Sequence, residues 1–419
     1  MYIRELTIDE FKNFANTYDL YSVYQTPEYG FTMEGQGFNP LIVGLMDKNE
    51  NILGAAVLFV EKRFAFKYAY APGGFLIDYY NFDLLKIFTL KLKKFLSRLD
   101  IVAVKLNPLV IKDIYDPKKK SFIPNLNYET AYSNLRRHGY YHYGYNYYFE
   151  ALKPRYEAVI DIDKPYYILF NEIKKEFRTK IRSAEENGIR IYKGRPSELD
   201  YLYEHTKRKY PRDLNYFRDL YFAFEKNSMI DYYYAKLDTA IYLEKIQKKY
   251  EEAEQENHLI NNLILTNSNK NVHKLINRKI NNDNLFANYK NKLVLATNLL
   301  KNHPDGIILA TIIVVTYRDT VYVLMDAQDP KYRMLSAKHL LIWKLIHNYS
   351  KMGYKKFNLG GVTNPELDQS QYKGLNQFKT NFGAKIYEYA GDFELITNNT
   401  KYFMYRNTLS LQNLLKKTE

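Results

Sequence analysis

The spacing of apolar residues divides this chain into two blocks in which strands and helices alternate. In the first block, NPLIVGLMD (39–47) and NILGAAVLFVEKRF (51–64) predict neighbouring strands, and residues 79–99 have the apolar spacing of a helix. A second block opens at YEAVIDID (156–163) and repeats the order of strand, helices, paired strands, long helix and strand through residue 361. Two mixed units of similar order predict an α/β (α+β) protein with a tandem domain architecture.

One segment breaks this pattern, because its apolar or small residues follow alternating steps of three and four. A polar turn near TNSNKN (266–271) separates two such runs, so the segment is predicted to be an antiparallel coiled-coil hairpin that projects from the second domain. The heptad positions are Leu243, Ile246, Tyr250, Ala253, Ile260 and Ile264, then Val272, Leu275, Phe286, Tyr289, Leu293, Ala296 and Leu300, with Asn257, Lys279 and Asn282 as polar exceptions.

A helix predicted within NEIKKEFRTKIRSAEENGI (171–189) carries two different faces. Apolar residues recur every four positions on one face, and Lys174, Arg178 and Arg182 recur every four positions on another. The cationic face is either a phosphate-contacting ridge or an ordinary solvated surface. Further along, KRKYPRDLNYF (207–217) concentrates basic residues before Tyr216, and Arg212 in this run has the paired donors that match a phosphate. A charged loop is the alternative there.

Composition narrows the class of partner and the compartment. With 61 Lys and Arg against 47 Asp and Glu, the formal net charge is +14, which favours a polyanionic partner such as nucleic acid, nucleotide phosphates or an anionic membrane surface. A basic enzyme with a biased composition is the alternative. The chain has no cysteine, which excludes disulfides, a thiolate nucleophile and thiolate metal sites and is typical of a reducing cytoplasm. No metal site is expected.

The N-terminus lacks the apolar core of a signal peptide, and no window approaches the ~18 apolar residues of a spanning helix. We therefore expect a cytoplasmic protein.

Residues 374–383 read GLNQFKTNFG and place Phe378 beside Lys379. With QTPEYG (25–30), IRSAEENGIRI (181–191), the heptad hairpin, NLGGV (358–362) and the closing YEYAGDFELI (387–396), this segment resembles the Fem family of bacterial aminoacyltransferases, in its arm-bearing branch. The resemblance covers nearly the whole chain and implies two GNAT-like domains. It also implies transfer of an amino acid from aminoacyl-tRNA to the stem-peptide amino group of a peptidoglycan precursor, which builds the interpeptide bridge.

The resemblance also implies site residues. Phe378 and Lys379 match the family pair near the tRNA acceptor end and the reacting ester. A fixed ammonium there would stabilise the developing oxyanion, and a neighbouring aromatic ring offers a stacking face for the terminal adenine. Alternatively, Phe378 is a core residue and Lys379 a surface cation. Lys174, Arg178 and Arg182 are assigned to aminoacyl-tRNA, whereas Arg212 and Tyr216 resemble the pair that binds the precursor. No cofactor is implied beyond the co-substrate aminoacyl-tRNA.

Two features depart from the family pattern. Asn107 stands where some members have an Asp considered as a base, and an amide does not accept a proton at neutral pH. PEYGFTMEGQGF (27–38) holds no match for the first-domain lysine, since Glu28 and Glu34 are its only charged residues.

Two other function classes fit the sequence less well. An acyltransferase that uses an acyl-coenzyme A donor needs a glycine-rich turn for the pyrophosphate, and the corresponding DAQDPKYRMLS (326–336) has no glycine. A non-catalytic tRNA-binding protein fits the charge but leaves GLNQFKTNFG unexplained. The partners implied by the resemblance are aminoacyl-tRNA and a lipid-linked or UDP-linked muropeptide. Peripheral contact with the inner membrane face and association with homologous transferases or a second copy stay open.

The predicted domains follow from these patterns. The first GNAT-like domain spans residues 1–153 and is completed by 386–419, and the second spans 154–235 and 305–385. The hairpin arm spans residues 236–304 and ends where Pro304 and Gly306 mark the return to the globular body.

Overall fold

The computed structural model describes residues 1–63, 65–145, 153–207, 212–266, 272–366 and 372–415, without the side chains of residues 272 and 409–415. Its strands are β1 Tyr2–Glu5, β2 Asn39–Met46, β3 Ile52–Arg63, β4 Phe66–Ala71, β5 Ile101–Leu106, β6 Ile111–Asp116, β7 Ser121–Pro124, β8 Tyr140–His142, β9 Tyr156–Asp161, β10 Ile189–Lys193, β11 Ile230–Leu237, β12 Ile307–Tyr317, β13 Thr320–Gln328, β14 Lys356–Val362, β15 Lys385–Tyr389 and β16 Phe393–Ile396. Its α-helices are α1 Ile8–Thr17, α2 Pro27–Glu34, α3 Phe82–Arg98, α4 Tyr128–Arg137, α5 Tyr166–Glu172, α6 Lys175–Glu186, α7 Leu199–Thr206, α8 Leu214–Glu225, α9 Thr239–Thr266, α10 Val272–Asn302, α11 Ala337–Lys351, α12 Lys373–Thr380 and α13 Asn399–Leu415.

The strands form two mixed sheets, which confirms the predicted α/β class. A seven-stranded sheet has the order β1-β2-β3-β4-β5-β16-β8, and a nine-stranded sheet has the order β10-β11-β12-β13-β14-β9-β15-β6-β7. In each sheet one parallel pair, β4 with β5 and β13 with β14, lies among antiparallel neighbours. Each of these pairs is joined through a long helix, α3 or α11, as a parallel connection requires.

Sheet membership crosses between the two halves of the chain. Strands β6 and β7 from the first half extend the nine-stranded sheet, and β16 from the C-terminal segment lies between β5 and β8 in the seven-stranded sheet. The domain boundaries given above stay a prediction, since sheet membership alone does not define a domain.

Three clusters of buried apolar residues hold this arrangement together. One packs α6 and α11 against the nine-stranded sheet, and a second packs α3 and α4 against the seven-stranded sheet. The third contains side chains from both sheets together with α2 and α8, including Phe59, Phe217 and Ile313. Burial of apolar side chains from both halves in one cluster fixes the two sheets relative to each other.

The hairpin is antiparallel, as the heptads predict. The ring of Tyr250 on α9 stacks on that of Phe286 on α10 at 4.8 Å between centroids. The polar exception Asn282 is buried and donates from Nδ2 to the carbonyl oxygen of Ala253 at 2.7 Å and to Oδ1 of Asn257 at 2.9 Å. These two polar heptad positions therefore satisfy each other. Lys279 pairs with Asp283 on its own helix.

The predicted helix over residues 171–189 is wrong in one respect, because it is interrupted. Helix α5 ends at Glu172, and Lys174 is the N-cap of α6 with extended backbone angles, φ −55° and ψ 138°. The backbone N–H of Lys174 donates to the carbonyl oxygen of Asn381 at 2.9 Å, so a contact with the segment after α12 replaces an intrahelical bond. The apolar face of α6 is buried as predicted, with Phe177 and Ile181 in the core.

None of the helices in the described part of the chain has the length and apolar character needed to cross a membrane.

Candidate active site

The candidate site lies where the parallel strands β13 and β14 separate. They pair over three residues, from Thr320 opposite Lys356 to Tyr322 opposite Asn358. Beyond Asn358, β14 has a bulge, and its pairing with β9 resumes at Gly361 opposite Glu157. Gly360 in the bulge has φ +77°, a left-handed conformation that favours glycine. The NLGGV motif thus forms an opening in the nine-stranded sheet.

Helix α12, which carries the GLNQFKTNFG motif, is fixed to this bulge. The Asn376 side chain accepts a hydrogen bond from the backbone N–H of Thr363 at 3.0 Å and donates to its hydroxyl at 2.8 Å. One turn later, Nζ of Lys379 donates to the carbonyl oxygen of Gly361 at 2.7 Å. Lys379 is only 8% exposed, so it is not the surface cation considered above. The helix therefore holds an ammonium at the opening.

Phe378 faces the core beneath the same helix. Its ring packs among Phe177, His339 and Phe382, with centroid distances of 5.7, 5.1 and 5.4 Å. Phe378 is half-buried rather than fully enclosed, so part of the ring stays accessible. Both interpretations made from the sequence, a core residue and a stacking surface, are compatible with this position.

His339 adds a buried polar group to this aromatic cluster. Burial lowers its pKa to about 4, and the charges of Lys180 and Lys338 act in the same direction. Its Nδ1 atom has no hydrogen-bond partner among the described residues. The ring is therefore neutral at physiological pH and serves as part of the aromatic packing.

Two lysines that the sequence analysis did not select lie beside the cluster. Nζ of Lys338 is 4.9 Å from the Phe378 ring centroid and pairs with Asp326, and Nζ of Lys180 is 5.3 Å from the Phe177 ring. Their signal in the sequence is weak, since an isolated lysine on a helix is ordinary. Only packing places them beside Phe378.

The three cations assigned to aminoacyl-tRNA have different surroundings. Lys174 is exposed and lies 3.6 Å from Glu176. Arg178 is bound to Oδ1 of Asn171 at 2.9 Å, and the guanidinium of Arg182 lies over the Phe170 ring at 5.1 Å. Contacts within the protein hold the two arginines, whereas Lys174 projects into solvent beside the end of α12.

Arg212 and Tyr216, the pair that the family resemblance assigns to the precursor, lie in contact. The guanidinium lies over the Tyr216 ring at 4.2 Å, and Asp213 caps the helix that carries Tyr216. Burial raises the pKa of Tyr216, while Arg212 and the hydrogen bond to Tyr29 oppose this. Arg208 and Lys209, from the same basic run, lie outside the described residues.

The departure at Asn107 has a structural counterpart. Asn107 is buried and hydrogen-bonded to both Tyr70 and the carboxylate of Asp392. Lys105 also contacts Asp392, at 2.6 Å. A carboxylate is thus present beside this position, but it comes from the C-terminal segment and is engaged by a cation.

A cavity of about 120 Å³ lies beside strands β9 and β14, with Glu157 and Asn358 in its wall. Tyr24 lies on its wall, and the charges of both Arg212 and Glu157 act on the pKa of Tyr24, which burial raises. Glu157 is 4% exposed and lies on β9 opposite Gly361. The sequence analysis missed Glu157, although a charge inside an otherwise apolar strand must be paired if buried. Within the described residues, no three His, Asp or Glu side chains converge in a way that could hold a metal ion.

Comparisons with known proteins bear on the fold and the family of this chain. The FemAB family model matches residues 6–409. The aminoacyltransferase FemB of Staphylococcus epidermidis is 24% identical over 100% of both chains, and FemA of the same species is 22% identical over 98% of this chain and 100% of its own. The crystal structure of FemX superposes with a TM-score of 0.72 at 22% identity, covering 96% of this chain and 99% of that one, which supports the fold. The family predicted from the sequence is confirmed: the chain belongs to the FemAB family.

Proposed function

We propose that this chain is an aminoacyltransferase that moves an amino acid from aminoacyl-tRNA to the stem-peptide amino group of a peptidoglycan precursor, and so builds the interpeptide bridge. The observation that carries the proposal is the ammonium of Lys379, bonded to Gly361 at the opening between β13 and β14, in a chain whose relatives are named aminoacyltransferases. The enzyme works in the cytoplasm and holds no resident metal or redox cofactor.

The chemistry of ester aminolysis accounts for Lys379. Attack of an amine on the ester carbonyl forms the new C–N bond and places negative charge on the carbonyl oxygen. When this intermediate collapses, the C–O bond to the ribose breaks, and the proton lost by the amine ends on the ribose oxygen, which leaves as a hydroxyl. A fixed ammonium stabilises this charge more than it stabilises the neutral ester. Because Lys379 is anchored to the sheet and buried, its position is set before the ester arrives and its interaction with the oxyanion is little screened by water.

The aminoacyl end of the tRNA is placed on the side of the sheet that carries α6, α11 and α12. Phe378 provides an aromatic edge there, and Lys338 and Lys180 lie next to the cluster as partners for phosphate. Lys174 extends this basic surface at the start of α6, and Arg178 and Arg182 continue it along the helix.

The precursor is placed on the opposite side, near Arg212 and Tyr216. A guanidinium supported by an aromatic ring keeps a fixed orientation and offers paired donors to a phosphate. Tyr29 and Tyr24 continue from Tyr216 towards the cavity, so a bound nucleotide at Arg212 would direct its attached peptide into the cavity.

An acyl-coenzyme A donor is disfavoured by the connection between β13 and α11. This connection is the 3-10 helix Pro330–Leu335, followed by Ser336 in a left-handed conformation. It contains no glycine, so it does not provide the glycine-rich turn of backbone N–H groups that binds a pyrophosphate.

A transfer assay tests the proposed function. The purified chain is incubated with a UDP-linked or lipid-linked muropeptide and with tRNA that is charged with one of a panel of isotope-labelled amino acids. The mass of the muropeptide is then measured by mass spectrometry. For at least one combination of amino acid and muropeptide, we expect the stem-peptide amine to gain one aminoacyl residue. A parallel reaction replaces the charged tRNA by acetyl-coenzyme A. Acetyl transfer in that reaction alone, or tRNA binding without precursor-dependent loss of the ester, would assign the chain to one of the two alternative classes.

A further inference from the structure

The cavity beside Glu157 contains an arrangement that recognises a primary ammonium. Glu157 is buried, and its two oxygens have different partners: Oε1 accepts from Nζ of Lys153 at 3.0 Å, and Oε2 accepts from Nδ2 of Asn358 at 3.0 Å. Asn358 is oriented in turn by the backbone N–H of Gly360, which donates to its Oδ1 at 2.8 Å. The carboxylate is therefore fixed in direction as well as buried.

An aromatic ring completes the binding of the ammonium. Nζ of Lys153 lies 4.0 Å from the centroid of the Tyr389 ring, within the distance of a favourable cation–π contact. Burial and the charge of Glu157 raise the pKa of Tyr389 well above its usual range, so this ring stays neutral. Lys153 itself is only 3% exposed. A carboxylate and a tyrosine face thus hold a desolvated primary ammonium.

Open space adjoins this ammonium. The cavity measures about 120 Å³, somewhat less than the roughly 150 Å³ of an engineered cavity that binds benzene. It therefore has room for the end of an aminoalkyl side chain and not for a nucleotide. Tyrosines from both halves of the chain contribute to its wall, among them Tyr21, Tyr24, Tyr322 and Tyr387.

The cavity and the Lys379 site lie on opposite faces of the nine-stranded sheet. In β9, Tyr156 and Ala158 face the core that contains Phe378, while Glu157 faces the cavity, as the alternation of a strand requires. Glu157 is nevertheless directly opposite Gly361, whose carbonyl oxygen binds Lys379. The cavity and the Lys379 contact therefore share one residue pair of the sheet, Glu157 and Gly361.

We propose that the Glu157 cage is the subsite for the primary amine of the acceptor, and that Lys153 occupies it when no acceptor is bound. This inference rests on the proposed function and adds the residues that hold the acceptor amine. Exchange of one primary ammonium for another leaves the charge of the buried site unchanged, so no unpaired charge remains in the cavity. Lys153 precedes the first paired residue of β9, so its side chain can leave without breaking the pairing of that strand.

A thermal unfolding experiment tests the cage without using the enzyme reaction. Lys153→Ala removes the resident ammonium, and we expect n-butylammonium to raise the Tm of this variant by about 2 °C or more, because the ion binds the folded state alone. 1-Butanol, which has nearly the same shape and no charge, should raise it much less. The double variant Lys153→Ala/Glu157→Gln should not respond. The control Lys105→Ala removes a different ion-paired lysine and keeps Lys153 as a competitor in the cage, so it should respond much less than Lys153→Ala. Equal stabilisation by 1-butanol, or the same response in the double variant, would overturn the cage.

Acceptor binding by the otherwise intact protein provides the second test, which does not depend on the folding of Lys153→Ala. Calorimetry compares a muropeptide whose stem carries a free primary amine with the same molecule acetylated at that amine. We expect the wild type to prefer the free amine by about tenfold or more, and Glu157→Gln to reduce this preference to about twofold or less, since only the charged interaction is lost. If Glu157 had only a structural role, Glu157→Gln would weaken the binding of both muropeptides equally. The ratio of their two affinities would then stay unchanged, which would overturn the proposal.

Failure of the proposed function would give different results in these two experiments from failure of the amine subsite. If neither muropeptide bound the wild type, the precursor would be the wrong ligand, and the response of Lys153→Ala to butylammonium would still decide whether Glu157 binds an ammonium. If both muropeptides bound equally to the wild type, the precursor would be correct and the amine subsite wrong.

Discussion

At the scale of single residues, Lys379 and Phe378 are neighbours in sequence with different surroundings. Lys379 is bonded to the backbone of β14, and Phe378 packs among Phe177, His339 and Phe382. The motif indicated both residues, but only the structure gives the partner of each. A helix places adjacent side chains about 100° apart, so one helix can present both an ammonium at the opening and a ring in the core.

Lys379→Met should reduce turnover by roughly a hundredfold, or about 3 kcal/mol, because it keeps most of the aliphatic stem and removes the charge that the oxyanion needs. Single-turnover transfer with full-length aminoacyl-tRNA and with a minimal aminoacyl donor measures this loss, which should be the same for both. Lys373→Met, on the same helix and exposed, is the matched control and should keep wild-type rates. Near-normal rates for Lys379→Met would remove this residue from the chemistry.

Phe378→Leu should act on the donor instead. If the terminal base stacks on the accessible part of the ring, use of full-length tRNA weakens by about 1 to 3 kcal/mol while the minimal donor without that base is spared. Because the ring also packs against the core, the variant should lose some stability, and circular dichroism at the assay temperature must show that it is folded. An equal loss on both donors would make Phe378 a packing residue alone.

His339 predicts a dependence of stability on pH. Its pKa in the folded protein is about 4, and the unfolded chain titrates near 6.5. Between these values the unfolded state binds the extra proton, so the free energy of unfolding decreases as pH falls, by up to roughly 1.4 kcal/mol per pH unit. His339→Phe keeps an aromatic ring and should flatten this dependence in urea unfolding, whereas His258→Gln on the exposed face of α9 should not. If the free energy of unfolding depended on pH in the same way in the wild type, His339→Phe and His258→Gln, the prediction would be contradicted.

At the scale of elements, apolar periodicity predicted the strands and long helices well but missed contacts that end an element. The heptad pattern identified both helices of the hairpin, because burial follows sequence spacing when two helices pack along their length. The break between α5 and α6 was missed, since it depends on the bond from Lys174 to Asn381, about 200 residues later in the chain. The β14 bulge was likewise not predictable in detail, although its two glycines were visible.

The base of the hairpin is anchored in the core, so only the outer part of the hairpin can be removed without loss of core packing. Ile246, Ala296 and Leu299 belong to the buried cluster of the nine-stranded sheet, whereas Tyr250 and Phe286 pair farther along the arm. Replacing residues 251–285 by a short Gly/Ser linker should therefore leave both sheets folded. Replacing residues 243–300 should cost more than about 4 kcal/mol, because buried Ile and Leu side chains are lost. Urea unfolding distinguishes the two variants, and equal stability would place the base of the hairpin outside the core.

Removal of the outer arm should also affect function without affecting the fold. We expect the 251–285 replacement to weaken tRNA or partner engagement, measured as a raised KM for aminoacyl-tRNA. Wild-type kinetics with every donor would leave the arm without a role in this reaction.

At the scale of the whole molecule, the site is assembled from distant parts of the chain. Tyr24 comes from the segment before α2, Glu157 from β9, Asn358 from β14 and Tyr389 from β15, and all four line one cavity. A single sequence does not reveal such a combination, because none of these residues forms a motif with another. The family resemblance predicted the fold, which is confirmed, and proposed roles for Lys379 and Arg212, whereas only the contacts in the structure drew attention to Glu157 and its partners.

Arg212 tests whether the precursor spans the two halves of the protein. Its guanidinium lies on Tyr216, which is hydrogen-bonded to Tyr29 from the other half, and Tyr29 packs against Tyr24 at the cavity. Arg212→Lys keeps the charge but loses the planar fork and its stacking, so it should raise the KM for the muropeptide by about tenfold and change kcat little. The KM for aminoacyl-tRNA should not change. Arg218→Lys is the matched control, because Arg218 lies on the adjoining helix α8 and pairs with Asp200 at the surface. Because phosphate recognition at Arg212 and amine recognition at Glu157 act on the same ligand, Arg212→Lys should weaken the free and the acetylated muropeptide equally, whereas Glu157→Gln should weaken only the free one. A selective effect of Arg212→Lys on the free amine would place the amine, rather than the phosphate, at Arg212.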